Sequence, residues 1–179
     1  MYPYMSSNPD EKGKNISAAQ KNNDNSRTAE LISSAIENKY KAADTYKKIV
    51  DNTSDNGQEA VIRSIYNEEI KNIELLKELY TELAGGNFDD TDTEVDIELD
   101  FGNMPEIFKT MCKAEIESAG FFRDLSIIAK DMPDNFSETF LIIMNDEQNH
   151  SVLDSLMFTE CMFNENKEWQ NKFTILFLD

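Results

Sequence analysis

Apolar residues recur along most of this chain at the spacing of an amphipathic helix. From about Arg27 to Asn52 they fall at Ile32, Ala35, Ile36, Ala42, Ala43, Tyr46, Ile49 and Val50, in the three- and four-residue steps that gather side chains on one helical face. The polar run at 52–57 breaks this pattern, and Asp55, with Gln58 three residues on, is placed to cap a second helix. That helix carries Ile62, Ile65, Tyr66, Ile73, Leu76, Leu79, Tyr80 and Leu83 on one face and ends at Gly85-Gly86. A third begins near Pro105 with Phe108, Met111, Cys112, Ala119, Phe122 and Leu125, and the Asp-Met-Pro-Asp run at 131–134 stops it. A fourth spans about Asn135 to Phe163, with Phe140, Ile143, Met144 and Met157 inward. The pattern predicts an all-α four-helix bundle, two antiparallel hairpins joined by a long crossover.

The remaining segments lack this period. Residues 1–26 are polar and rich in Asn and Ser, too poor in apolar surface to offset the entropy of ordering, and read as a flexible tail. The crossover linker, 86–104, alternates Asp92, Glu94, Asp96, Glu98 and Asp100 with Thr93, Val95, Ile97, Leu99 and Phe101. A period of two predicts an extended strand with one face on the protein and one in water. Ten such residues reach ~33 Å, enough to climb a bundle of 22-residue helices. A calcium loop of the EF-hand type needs a central Gly that is missing here, so the acids read as a solvated face. The end, 165–179, is an aromatic extension with Trp169 and the apolar run from Phe173 to Leu178, a candidate for packing across the bundle or against a second subunit as a homodimer.

Charge narrows the partners. With 35 acidic against 17 basic residues the net charge is −18 and the pI near 4.3. Nucleic acid is excluded, because its affinity comes from Lys and Arg displacing counterions, and anionic membrane is disfavoured for the same reason. No apolar run suits a signal sequence or approaches the ~20 residues of a span, so a cytoplasmic location is expected. One His and two Cys exclude a zinc site built mainly from those residues. Cys112 and Cys161 fall about 4.5 Å and 21 Å from the level of the charged residues below, beyond disulfide reach, and suit a reducing compartment.

Four core positions carry the wrong residue type. Lys39 lies among Ile32, Ile36, Ala43 and Tyr46; Glu69 among Ile62, Ile65, Ile73 and Leu76; Glu115 among Phe108, Met111, Ala119 and Phe122; Glu147 among Phe140, Ile143 and Met144. His150, the only histidine, is one turn after Glu147, and Asn72 holds the matching place after Glu69. An unpaired buried charge costs several kcal/mol, so these groups must face one another or a cation. Residues of an antiparallel hairpin are level when their midpoint is the turn. The midpoint of 39 and 69 is 54, in the first turn; that of 115 and 147 is 131, in the second. All four charges are expected at one depth.

This layout resembles the ferritin-like superfamily, specifically the short rubrerythrin-like proteins of spore-forming bacteria. The resemblance covers about 31–163 and rests on AIENKYKAADTY, IYNEEIKNIELLKELYTELAG, AEIESAGFFRDL and IIMNDEQNHSVL, the last retaining Asp146, Glu147 and His150 of a DExxH motif. It implies two metal ions held by a Glu from helices 1 and 3 and a Glu-x-x-His from helices 2 and 4. Lys39 replaces the first of those Glu and Asn72 the first His, and both would serve the same metal, so the resemblance implies one emptied site. The other keeps Glu115 and His150 with the former bridges Glu69 and Glu147, and Glu68 is placed to orient His150.

Three states follow. In one, the Lys39 ammonium stands in for a metal and a single Fe, Mn or Zn ion balances the residual charge of −2; a protonated Lys cannot itself be a ligand. In another the core is metal-free, Lys39 pairs with Glu69 and Glu115, and raised carboxyl pKa values absorb the excess. In the third both metals bind. Loss of one site argues against paired-metal oxygen or peroxide reduction, and no CxxC pair supplies a rubredoxin-type domain. The expected role is structural, binding or metal-handling, with no catalytic residue assigned; an oxidoreductase with an altered site is the alternative. The Met-Tyr-Pro-Tyr start is similar to tails of spore-associated relatives, which implies the spore coat as an alternative location and spore-layer proteins as partners.

Overall fold

The computed structural model describes residues 18–91, 93 and 97–177. Four long helices account for nearly all of them: α1 (Ala18–Asn52), α2 (Asn56–Ala84), α3 (Met104–Ile128) and α4 (Asp134–Phe177). No strand occurs among the described residues. The helices pack as two hairpins, α1 on α2 and α3 on α4, with α2 also touching α4.

The turns form as their sequences dictate. Asp55 accepts from the backbone N–H of Gly57 at 2.8 Å and of Gln58 at 2.9 Å, satisfying two of the donors a helix start leaves open. At the other end of α2, Gly85 adopts a left-handed φ of 70° and returns its N–H to Thr81 O, the conformation a residue without Cβ takes at least cost. Pro105 sits in the first turn of α3, where its missing N–H is not needed.

Three expectations are corrected. α1 begins at Ala18, inside the stretch read as a tail, because Ala18, Ala19, Gln20 and Lys21 are good helix formers and extending an existing helix needs no new nucleus. α4 likewise continues past Phe163 to Phe177, so the backbone of the aromatic extension is helical as far as Phe177; the side chains of Trp169 and 173–177, and all of 178–179, lie outside the described residues. The described residues of the alternating stretch, Thr93 and 97–100, are not a strand; they are irregular, and 97–100 pass into a 3₁₀ turn, Phe101–Asn103, since no neighbouring strand among the described residues pairs with them. The two-residue alternation is nevertheless visible: Ile97 and Leu99 are half-buried, Glu98 and Asp100 exposed. Residues 1–17, Asp92 and 94–96 lie outside the described residues.

The core has two clusters, and the crossover is anchored to both. Ile32, Ile36, Ile73, Leu76, Phe122, Phe136, Phe140 and their neighbours form one, with Phe88 packed on it. Tyr46, Ile49, Ile62, Ile65, Phe108 and Met157 form the other, with Leu99 and Phe101 packed on it. Near its start the crossover is clipped by Lys77, which donates to Tyr40 Oη at 2.6 Å and to Asp90 at 3.0 Å. Further on, Lys48 donates to Ile97 O at 2.8 Å. No helix among the described residues is long and apolar enough to cross a membrane. Between the apolar clusters lies a polar layer.

Candidate metal centre

Each helix contributes to that layer at the depth the turn midpoints require. Lys39 from α1, Glu69 from α2, Glu115 from α3 and Glu147 and His150 from α4 are all at most 3% exposed. Glu69, Glu115, Glu147 and His150 each offer a ligand atom within 4.8 Å of the others. The four residues expected to hold a metal are therefore brought together, and Lys39 is among them.

The Lys39 ammonium bridges the carboxylates. It lies 2.9 Å from Glu69, 3.8 Å from Glu115 and in direct contact with Glu147 Oε2. Burial alone would lower the pKa of Lys39, but Glu69, Glu147 and Glu115 outweigh it and hold it above its ordinary value. Lys39 is a fixed cation here. On Glu69 burial would favour the neutral acid, and the Lys39 and His150 charges reverse that, lowering its pKa.

His150 is oriented from behind. Its Nε2 lies 2.8 Å from Glu68 Oε2, so a proton on Nε2 is donated outward. Nδ1 faces the carboxylates, 3.0 Å from Glu69 and 4.0 Å from Glu115; it carries a proton toward Glu69 while the ring is charged and presents a lone pair only once that proton is lost. Burial would lower the His150 pKa; the Glu69, Glu68 and Glu115 carboxylates overcome it and raise it to about 9. Glu115 rises to about 9 as well, through burial first and then repulsion from Glu69 and Glu147, against the pull of Lys39. In this state the excess of carboxylates over Lys39 is balanced by two protons.

Four atoms of the clustered residues make no conventional hydrogen bond, Glu69 Oε2, Glu115 Oε2, Glu147 Oε1 and His150 Nδ1, and of these Glu69 Oε2 lies 2.9 Å from the Lys39 ammonium and His150 Nδ1 3.0 Å from Glu69. They come from all four clustered residues and are of the types that bind first-row metal ions. Buried polar atoms are otherwise nearly always paired, so the donor set fits a divalent ion. Asn72 is fully buried and both its amide atoms are also unpartnered. It occupies the place after Glu69 that would carry the second imidazole.

Two members of the layer were not anticipated as polar partners. Tyr46 Oη lies 2.9 Å from Glu115 Oε1 and 2.8 Å from Asp154 Oδ2. Asp154 is fully buried, and burial raises its pKa to about 7. The signal for Asp154 was present: it is one turn after His150 on the inward stripe, an acid where the period demands an apolar residue. Tyr46 gave no such signal, because its ring satisfies the stripe and only its hydroxyl reaches the acids.

Between α1 and α3 a groove of about 480 Å³ is lined by Ala35, Asn38, Ala42, Ala114, Ser118 and Phe121, with Lys39 and Glu115 at its inner wall. α1 and α3 touch less than the helices within each hairpin, and Lys39 and Glu115, nearly fully buried, close the groove at its inner end.

Family models, curated proteins and solved structures were compared with the chain, and none matched.

Proposed function

We propose that the chain is a ferritin-like, rubrerythrin-like protein with a half-lost two-metal site. It binds one divalent Fe, Mn or Zn ion through Glu69, Glu115, Glu147 and His150 and serves a structural, binding or metal-handling role. The observation that carries this reading is the division of donors in the polar layer. Lys39 is spent on Glu69 and on Glu147 Oε2, and His150 Nδ1 lies against Glu69, whereas Glu147 Oε1 and Glu115 Oε2 are unpartnered. A tethered ammonium supplies one positive charge where a second metal would supply two, and it cannot exchange or change oxidation state.

The bound ion would supply charge neutralisation and Lewis acidity. The chain's own residues fix the rest: Glu68 sets the His150 tautomer, and Tyr46 with Asp154 holds one Glu115 oxygen away from the donor group. Loading the purified, chelator-stripped chain with Fe(II), Mn(II) or Zn(II) and measuring bound metal tests this directly. A single saturating equivalent, lost in His150→Ala, supports it; no binding favours the metal-free core. Sustained peroxide or oxygen consumption by iron-loaded protein would favour an oxidoreductase instead.

A further inference from the structure

We infer that the outer face of α4 is a self-association surface on which a second copy of this chain docks antiparallel about a two-fold axis at Val152. Between Glu138 and Glu160 the exposed residues of α4 are Leu141, Ile142, Asn145, Gln148, Asn149, Val152, Ser155, Leu156 and Thr159. None is charged. The exposed positions of the other helices carry charges throughout, among them Glu37 and Lys41, Lys71 and Glu74, Lys113 and Glu117. Six of the ten large apolar side chains that lie open among the described residues are on α4, with Val152 58% exposed, Leu156 56% and Phe163 67%; Ile116, Ile127 and Ile128 of α3 are open too, but among the charges of that helix.

Charge selects the occupant. A basic or acidic partner would dock on a charged face, and the exposed residues of α4 between Glu138 and Glu160 offer neither sign. Two copies each carrying −18 repel, so they can meet closely only where no acid is presented. The register supports the same occupant. Leu141, Val152 and Phe163 are spaced by eleven residues, a repeat that keeps a stripe nearly straight along a helix. Antiparallel pairing about Val152 sets Leu141 against the second copy's Phe163, Ile142 against its Met162, Gln148 against its Leu156, and Val152 against itself. At this register Asp146 meets Phe158 and Glu160 meets Met144, so no acid opposes an acid. A two-fold interface requires such self-complementarity of one patch.

The face runs ~33 Å along α4 and is ~10–15 Å wide, so a pair buries ~800–1,000 Å² in total, the size class of a reversible interface. Association is therefore expected to be weak and concentration-dependent. The test is sedimentation velocity of the full chain at increasing concentration up to ~200 µM, with Val152→Glu alongside. Val152 is exposed, so that variant keeps the wild-type thermal unfolding, and placing two acids together on the axis weakens the dimer ~100-fold or more. In a Cys112→Ser, Cys161→Ala background, Val152→Cys forms a disulfide-linked dimer on mild oxidation. Leu141→Cys does so only when mixed with Phe163→Cys. A monomer throughout that range, a dimer indifferent to Val152→Glu, or linkage of Leu141→Cys to itself would each overturn the proposal.

Discussion

Lys39 offsets carboxylates from three different helices, so its removal is felt across the whole layer. In metal-free protein Lys39→Met is expected to cost ~3–5 kcal/mol, the range for breaking a buried ion pair by deleting one partner. Chemical denaturation in chelator measures it, and a loss below ~1 kcal/mol would show that the ammonium is not the compensating charge. The same layer sets an unusual pH dependence. Glu115 holds its proton to about 9 in the folded chain against 4.5 ordinarily, His150 to about 9 against 6.5, and Asp154 to about 7 against 3.8. In each case the folded chain binds more protons than the unfolded one between the two values, so stability falls as pH rises through that window. Glu69 is shifted the other way, but its contribution is complete above the ordinary carboxylate range. Thermal unfolding in chelator should therefore drop steadily from about pH 6.5 to 9, and Glu115→Gln should flatten the drop. A midpoint that rises over that range would contradict the assignment. These residues were legible because a charge in an apolar period stands out. Asp154 stood out equally, but lies one turn beyond the motif that drew attention to His150.

At the scale of the helix, sequence legibility depended on what covers it. The starts and stops next to tight turns are visible in advance, because Asp55 and Gly85 act through local hydrogen bonding and φ alone. Asp55→Ala should destabilise the chain by ~1 kcal/mol, read from denaturant unfolding at constant slope, since two backbone donors lose their acceptor. The outer ends of α1 and α4 were less legible for a physical reason. Periodicity marks where a helix is packed and is silent on how far an unpacked one propagates. The crossover shows the converse: alternation reported correctly which side chains turn inward at 97–100, yet inward and outward alternation does not require a strand partner. Lys77 and Lys48 hold it instead.

For the whole molecule, the turn midpoints carry the information, since two independent hairpins place their charges at one level and the fold joins them there. They could not reveal how the donors divide between Lys39 and an ion, because that depends on which carboxylate oxygen each contacts. The division has a consequence for binding. A divalent ion entering the layer displaces the protons on Glu115 and His150, so apparent affinity should rise with pH up to about 9, and calorimetry in buffers of different ionisation enthalpy should count close to two protons released. Proton release near zero would contradict the exchange. The most direct test of the account is the metal stoichiometry of the chelator-stripped chain beside that of Lys39→Glu/Asn72→His. The account predicts ~1 equivalent of divalent ion in the native chain and ~2 in the double variant. Fewer than ~0.2 equivalents, or ~2 with Lys39 in place, would contradict it.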